Sequence, residues 1–97
     1  AGVKDVLIDP GFGFAKTTAQ NFELLSKLDS FRILEKPLLV GLSRKSMIWR
    51  TLETTPEHAL NGTSVLNTIA LLKDASILRV HDVKAAHEAI ALTTRLT

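Results

Sequence analysis

A short apolar run followed by a polar loop and a helical pattern occurs three times along the chain, and this repeat constrains the fold most. The apolar runs begin near residues 6, 38 and 76, and helical patterns separate each pair of runs. Strands that alternate with helices are typical of βαβ units and a parallel sheet. The sequence therefore predicts an α/β fold.

The first unit consists of a strand over residues 6–8, a loop to Lys16, and a helix whose N-cap is Thr17 or Thr18. Apolar residues of that helix recur at helical spacing: Phe22, Leu25 and Leu28. The last unit has a strand over residues 76–80 and a helix from Val83 to Thr97. That helix is predicted to face inward through Ala86 and Ile90.

The second unit begins with a buried strand over residues 38–42, and a helical segment follows as far as Leu52. Residues 54–57 (TTPE) are a strong helix start, with proline in the first turn. An apolar pattern carries this helix to Lys73, and Gly62 is predicted to interrupt it. The pattern consists of Val65, Ile69 and Leu72.

The spacing of the units favours part of a (β/α)₈ barrel. Such a barrel has about 250 residues in eight units, or about 31 per unit, so three units account for this chain of 97 residues. A doubly wound open sheet has similar spacing, and both architectures remain open. We expect residues 1–97 to belong to one domain. Because the chain opens with Ala1 and not Met, we expect it to be a piece of something longer.

Composition excludes several classes of function. Twelve basic and ten acidic residues give a net charge of +2, and the basic residues are scattered, so we expect no nucleic-acid partner. Every apolar run is too short for a membrane span of roughly 18 residues, so we expect no membrane partner. The absence of cysteine excludes disulfides and thiolate metal sites.

Polar residues follow each predicted strand. The first strand ends in Asp9, the second precedes residues 43–46 (SRKS), and the third ends in residues 79–82 (RVHD). In parallel α/β folds the ligand lies at the carboxyl ends of the strands. We therefore predict one shared ligand site there.

Two interpretations are open for the residues after the first strand. Asp9 either caps a turn or directs its carboxylate at a ligand with an amidine-like edge. The following loop is not a phosphate-binding P-loop, because Pro10 and Ala15 stand where that motif requires glycine. Its two phenylalanines, Phe12 and Phe14, either cover a flat ligand or pack on the core.

The segment after the second strand begins like the nucleophile elbow of a hydrolase, but Lys45 occupies the position of its final glycine. Arg44, Lys45 and Ser46 at a helix start instead predict an anion site, with a surface capping turn as the alternative.

Arg79 and His81 lie two residues apart on the third predicted strand, so their side chains point to the same face. Together they suit a phosphate or pyrophosphate. Asp82 is predicted to be the N-cap of the last helix. The remaining candidates are assigned no role: His58, His87 and the Asn61-Gly62-Thr63 sequon.

Three segments of the sequence resemble signature segments of the dihydropteroate synthases, in the family's order and spacing. They are residues 7–14 (LIDPGFGF), 39–46 (LVGLSRKS) and 79–83 (RVHDV). Ala15 and Asp74 depart from the family pattern, which often has glycine at both positions. The resemblance implies a TIM barrel of the pterin-binding class, of which this chain is the C-terminal three βα units.

The implied reaction joins 6-hydroxymethyl-7,8-dihydropterin pyrophosphate to para-aminobenzoate, giving 7,8-dihydropteroate and pyrophosphate for folate biosynthesis in the cytoplasm. The resemblance assigns pterin binding to Asp9, Lys45 and Arg79, and pyrophosphate binding to Arg79 with His81. The implied para-aminobenzoate pocket, where sulfonamides compete, includes Phe14 and Ser46.

The same resemblance implies Mg²⁺ as cofactor, with its protein ligand on the first barrel strand and therefore outside this chain. The resemblance also implies that the parent enzyme is a homodimer. Because three units leave strand edges open, we expect the isolated chain to be inactive and to self-associate. Two alternatives remain. One is a non-catalytic pterin-binding fragment, and the other is a related pterin-binding methyltransferase.

Overall fold

The computed structural model describes residues 7–14 and 16–96. Val6 of the first predicted strand, Ala15 of the following loop and Thr97 of the last predicted helix lie outside these residues.

Three extended segments run parallel to one another. Strand β1 (Leu39–Val40) pairs with strand β2 (Ile77–Leu78), with Leu39 opposite Ile77. On the other side, Ile8 forms an isolated parallel bridge with Leu38. The segment that contains β1 therefore lies in the middle. This arrangement confirms an α/β fold with parallel pairing.

The strands are shorter than predicted, because the chain leaves the sheet soon after β1. The N–H of Arg79 still donates to the carbonyl of Val40 at 2.9 Å, but the carbonyl of Leu42 accepts from the N–H of Lys45 at 3.1 Å in a turn. Residues 41–45 are therefore a loop at the carboxyl end of the sheet.

Helix α1 (Thr18–Ser26) begins as predicted. Thr17 is its N-cap, and its hydroxyl accepts from the N–H of Gln20 at 3.1 Å while the Gln20 side chain accepts from the Thr17 N–H at 2.9 Å. This reciprocal pair satisfies two N–H groups that the helix itself leaves free. A 3₁₀ helix, Leu28–Leu34, then leads towards the sheet.

Helix α2 (Ser46–Thr51) follows β1, but helix α3 (Leu60–Leu72) begins later than the predicted start at residue 54. Pro56–His58 forms a separate 3₁₀ turn. An α-helix from residue 54 would bond the Pro56 carbonyl to the N–H of Leu60. That carbonyl instead accepts from Ala59 at 3.2 Å and from the Arg44 guanidinium at 2.7 Å.

Gly62 was predicted to interrupt α3. The helix is instead continuous there, and Gly62 lies buried within it. A Cβ atom at this position would lie 2.5 Å from Cγ2 of Ile48 on α2. Glycine is therefore required by the close approach of α2 to α3, and the prediction of an irregular helix was wrong.

Helix α4 (Val83–Thr94) packs against α3 through small side chains. Ala86, Ala89 and Thr93 are buried, whereas Ile90 is 42% exposed and does not face inward as predicted. Small residues occupy the buried face of α4 because they allow the backbones of α3 and α4 to approach closely. On α3 the predicted apolar stripe is also partly outward, since Val65 and Leu72 are both about half exposed.

The core lies between the sheet and the helices. Its most deeply buried side chains come from the loop after the first strand, the 3₁₀ helix, the middle strand region and α2: Phe12, Leu28, Val40, Leu42 and Met47. Among residues 7–14 and 16–96, no helix has the length and apolar character needed to cross a membrane.

Candidate ligand site at the carboxyl ends of the strands

A cavity of about 230 Å³ opens where β1 and β2 end, and we call it the strand-end cavity. It brings together three of the predicted site residues, Lys45, Arg79 and His81. The remaining lining comes from Gly41, Ser43 and Val80. Convergence at this edge is what the parallel strand order predicted.

Asp9 lies beside this group and does two things at once. One carboxylate oxygen accepts from the N–H of Gly11 at 2.9 Å, and the other lies 3.6 Å from Nη1 of Arg79. The turn-capping interpretation is therefore confirmed for one oxygen. The second oxygen faces a cation, and the side chain is 40% exposed, so lone pairs remain for a ligand.

The guanidinium of Arg79 occupies space that a side chain at position 41 would fill. A Cβ atom on Gly41 would lie 2.7 Å from Nη2 and 3.0 Å from Nε of Arg79. The guanidinium thus lies against bare backbone, and any side chain at position 41 would push it away.

Lys45 is the residue before α2, and its side chain passes beside the loop that follows the first strand. A Cβ atom on Gly13 would lie 3.5 Å from Cδ and 3.6 Å from Nζ of Lys45. Gly13 has a φ of +88°, which favours glycine whatever the space. The ammonium group therefore lies between that loop and the strand-end cavity.

His81 is held by Ser43 from the neighbouring loop. The Ser43 hydroxyl oxygen lies 2.7 Å from Nδ1 of His81 and accepts from the His81 backbone N–H at 3.2 Å. Ser43 is only 5% exposed, whereas His81 is exposed. One edge of the imidazole is therefore anchored while Nε2 remains available.

Arg44 was predicted to belong to the anion site, but it pairs with Asp82 instead. Its Nε and Nη2 donate to the two carboxylate oxygens of Asp82 at 3.0 and 2.9 Å. The hydrogen bonds from Arg44 hold the pKa of Asp82 below its ordinary value, and the same pair raises the pKa of Arg44.

Asp82 is the N-cap residue of α4, as predicted, but its side chain makes no capping hydrogen bond. Its backbone carbonyl accepts from Ala86 as the helix begins, while the carboxylate is taken by Arg44. A bidentate bond to a guanidinium is stronger than a bond to one neutral backbone N–H.

The backbone of Arg44 has a φ of +54°, and its N–H donates to the hydroxyl of Thr63 at 3.0 Å. Thr63 in turn donates to the carbonyl of Ala59 at 2.7 Å and is buried. Thr63 of the sequon therefore links the Arg44 backbone to the start of α3, whereas the sequence analysis assigns it no role.

The loop after the first strand separates its two phenylalanines. Phe12 is 2% exposed and packs in the core, which is the second of the two interpretations left open, whereas Phe14 is 71% exposed. The buried side chain of Asn21 on α1 accepts from the N–H of Gly13 at 2.9 Å. Sequence reasoning missed Asn21, although an asparagine on the inward face of an amphipathic helix is itself a signal.

The two residues predicted for a para-aminobenzoate pocket lie apart from the strand-end cavity. Phe14 lines a larger surface cavity of about 650 Å³ along α1 and the 3₁₀ helix, with Lys16 and Phe31 among its neighbours. Ser46 is the first residue of α2, directly after Lys45, and is half-buried.

Within residues 7–14 and 16–96, no three histidine, aspartate or glutamate side chains gather closely enough to hold a metal ion. Mg²⁺ prefers carboxylate and water oxygens, and the two carboxylates near the cavity are paired with guanidinium groups, Asp9 with Arg79 and Asp82 with Arg44. The described residues therefore do not form a magnesium site. Two cations and an imidazole, with Asp9 alongside, favour a ligand that combines a polar heterocycle with negative charge.

Parallel βα units with a cationic cavity at the strand ends define an α/β ligand-binding architecture. Residues 1–81 match the family model described as pterin binding enzyme, and the chain belongs to that family. The dihydropteroate synthase of Escherichia coli K12 is 47% identical over 85 residues, which cover 88% of this chain and 30% of the relative. The Clostridium beijerinckii dihydropteroate synthase is 43% identical, covering 96% of this chain and 36% of the relative.

Solved structures of dihydropteroate synthases are also similar to this chain. The Yersinia pestis dihydropteroate synthase with a pterin–sulfa conjugate superposes with a TM-score of 0.91 and 43% identity, covering 93% of this chain and 36% of that one. The Coxiella burnetii enzyme in complex with pteroic acid gives 0.91 and 44%, covering 96% and 36%. The chain thus spans about a third of the length of these proteins.

Proposed function

We propose that this chain is part of a dihydropteroate synthase. The reaction condenses 6-hydroxymethyl-7,8-dihydropterin pyrophosphate with para-aminobenzoate and releases pyrophosphate, in folate biosynthesis. The observation that carries the proposal is the convergence of Lys45, Arg79 and His81 in one cavity, with Asp9 against Arg79. The similarity to dihydropteroate synthases supports the same activity.

We further propose that residues 1–97 are the C-terminal three βα units of a (β/α)₈ barrel and belong to its single domain. The parallel pairing of Ile8 with Leu38 and of β1 with β2 supports consecutive barrel strands. In such a barrel the active site lies at the carboxyl ends of the strands, which is where the strand-end cavity opens.

For the pterin, we propose contacts with Asp9, Lys45 and Arg79. A pterin edge offers both an amidine-like pair of donors and ring acceptors. The Asp9 oxygen that faces Arg79 keeps lone pairs that suit the pterin donors, and the Lys45 ammonium suits the ring acceptors. The planar guanidinium of Arg79, flat against Gly41, suits the face of a ring.

For the leaving group, we propose that Arg79 and His81 receive the pyrophosphate. The bond from the pterin methylene carbon to the pyrophosphate oxygen breaks, the para-aminobenzoate nitrogen bonds to that carbon and loses one proton to solvent, and negative charge collects on the departing oxygen. Donors already in place for that charge lower the barrier more than a base would. Arg79 contributes a permanent charge and a donor fork.

For para-aminobenzoate, we propose that Phe14 and Ser46 contribute to the pocket at which sulfonamides would compete. The exposed ring of Phe14 is available to a flat ligand, and the Ser46 hydroxyl lies next to Lys45 along the chain. A sulfonamide drug complex is described for the Yersinia pestis protein.

Three further expectations stay predictions: a magnesium ligand on a strand outside this chain, a homodimeric enzyme with self-association of the isolated chain, and a cytoplasmic location.

The test is product formation from the pterin pyrophosphate and para-aminobenzoate by the full-length protein. A methyltransferase would bind the pterin without releasing pyrophosphate, and a non-catalytic module would bind it without any product. Asp9→Asn should weaken pterin binding by about 1–3 kcal/mol in calorimetry, and Arg79→Lys should lower turnover because the fork is lost. Asp29→Asn, on the exposed side of the 3₁₀ helix, is the control. Unchanged pterin affinity in Asp9→Asn contradicts the pterin assignment.

A further inference from the structure

Ser43 contacts both the backbone and the imidazole ring of His81. The Ser43 hydroxyl makes two contacts with the same residue, one with the backbone N–H at 3.2 Å and one with Nδ1 at 2.7 Å. The two loops that supply these residues follow β1 and β2, and the serine is almost fully buried between them.

The backbone N–H of His81 can only donate, so the Ser43 oxygen accepts from it. That oxygen also has a second lone pair and one proton to donate, so the 2.7 Å contact with Nδ1 permits either direction by geometry alone. Among residues 7–14 and 16–96 the proton of this buried hydroxyl meets no other acceptor, and buried donors are as a rule satisfied, which favours donation to Nδ1. An Nδ1 that accepts a hydrogen bond leaves the ring proton on Nε2.

The strand-end cavity holds two cationic side chains besides the imidazole. Lys45 and Arg79 line it together with His81. The carboxylate of Asp82, next to His81 in sequence, is engaged by Arg44. An anion in the cavity therefore meets the charge of the lysine and the arginine, to which His81 adds one N–H donor.

We infer that Ser43 is a positioning residue that holds His81 as the Nε2–H tautomer and directs this single N–H at an anionic oxygen of the leaving group. Without the hydroxyl, the ring would divide between two tautomers and two orientations. The identity of the anion rests on the proposed function, whereas the tautomer does not.

The tautomer is measured by ¹H–¹⁵N correlation NMR of the full-length protein labelled with ¹⁵N-histidine, at pH 8. In the wild type we expect an unprotonated Nδ1 and a protonated Nε2 for His81. Ser43→Ala should raise the Nδ1–H population, and Ser43→Thr, which keeps a hydroxyl, should restore the wild-type pattern. His87, exposed on α4, is the internal control. A wild-type spectrum with Nδ1–H as the main form overturns the inference, even if Ser43→Ala does not fold.

A second arm tests the direction of the donor with inorganic pyrophosphate in calorimetry. In His81→Gln the amide nitrogen lies near the place of Nε2, and in His81→Asn near that of Nδ1. We expect the glutamine variant to keep affinity within about threefold and the asparagine variant to lose about tenfold. Equal losses overturn the donor role. If the wild type binds neither pterin nor pyrophosphate, the proposed function fails while the NMR result still decides the tautomer.

Discussion

Two regions border the strand-end cavity and are held in place in opposite ways. The phenylalanine loop, residues 10–14 and 16, is held by bonds between near neighbours in sequence, such as those that join Asp9 to Gly11 and Asn21 to Gly13. The paired loops, residues 41–45 and 79–82, are joined by bonds between residues 38 positions apart. Local bonds define the first loop from its own part of the chain, whereas the paired loops are defined only where β1 and β2 pair.

The difference bears on what each region can do. In the paired loops consecutive residues meet consecutive residues, since Ser43 contacts His81 and Arg44 contacts Asp82. This double link fixes the position of the neighbouring Lys45 relative to His81. The phenylalanine loop instead presents one ring to the core and one to solvent, so it has a side chain free to cover a ligand.

The largest effect should come from the two rings of the phenylalanine loop. Phe12→Ala removes a core side chain and should cost about 3–5 kcal/mol of unfolding free energy. Phe14→Ala, two residues further, is the matched control and should change stability by less than about 0.5 kcal/mol. Denaturant unfolding of both variants measures the contrast. Equal losses would mean that the two rings are not divided between core and surface.

The next effect separates two buried glycines. In Gly62→Ala the new methyl meets Ile48 in the core, and overpacking of about 1–3 kcal/mol outweighs the gain of about 1 kcal/mol in helix propensity. In Gly41→Ala it meets only the mobile end of Arg79, so we expect less than about 1 kcal/mol. Pterin affinity should fall in Gly41→Ala and stay unchanged in Gly62→Ala. The opposite ranking in calorimetry and unfolding experiments would reject this account of Arg79.

A smaller effect is expected at Asn21. Asn21→Ala removes the acceptor for the Gly13 N–H and should cost about 1 kcal/mol, since a neutral hydrogen bond of this kind contributes about 0.5–1.5 kcal/mol. Hydrogen exchange at Gly13 should accelerate, with Asn61→Ala on the exposed side of α3 as control. If the Gly13 amide exchanges at the wild-type rate, the loop is held by its other bonds.

The smallest effect is at the link between the paired loops, because the side chains of Arg44 and Asp82 are 25% and 28% exposed and solvent weakens their attraction. The hydrogen bonds from Arg44 lower the pKa of Asp82. A carboxyl with a lowered folded-state pKa stabilises the fold above its ordinary pKa of about 3.9, and this stabilisation is lost as the pH falls through the folded-state pKa.

Asp82→Asn should therefore be less stable than the wild type at pH 7, and the difference should shrink below about pH 4. Unfolding free energies of both proteins between pH 2 and pH 7 measure it. Glu88→Gln, exposed on α4, supplies the control titration. A difference that stays constant down to pH 2 would show that the ion pair contributes nothing to stability.

Local signals predict the structure best where no distant partner competes with them. Thr17 is the N-cap of α1 and its side chain caps the helix, with Gln20 completing the capping pair. Asp82 is the N-cap of α4, but its side chain does not cap the helix because Arg44 engages the carboxylate from the other paired loop. The inward face of α4 differs from the predicted one for a similar reason, since close packing on α3 favours alanine over isoleucine.

The amino-acid pattern is enough to predict an α/β fold and the edge at which the polar residues meet, because chain direction brings the carboxyl ends of parallel strands to one side. Which cation enters the cavity depends on contacts that only the folded chain makes. Arg44 and Lys45 are adjacent and equally charged, but the left-handed backbone of Arg44 turns its side chain to Asp82, while Lys45 lines the cavity. That choice depends on a partner 38 residues away, which local pattern and charge do not reveal.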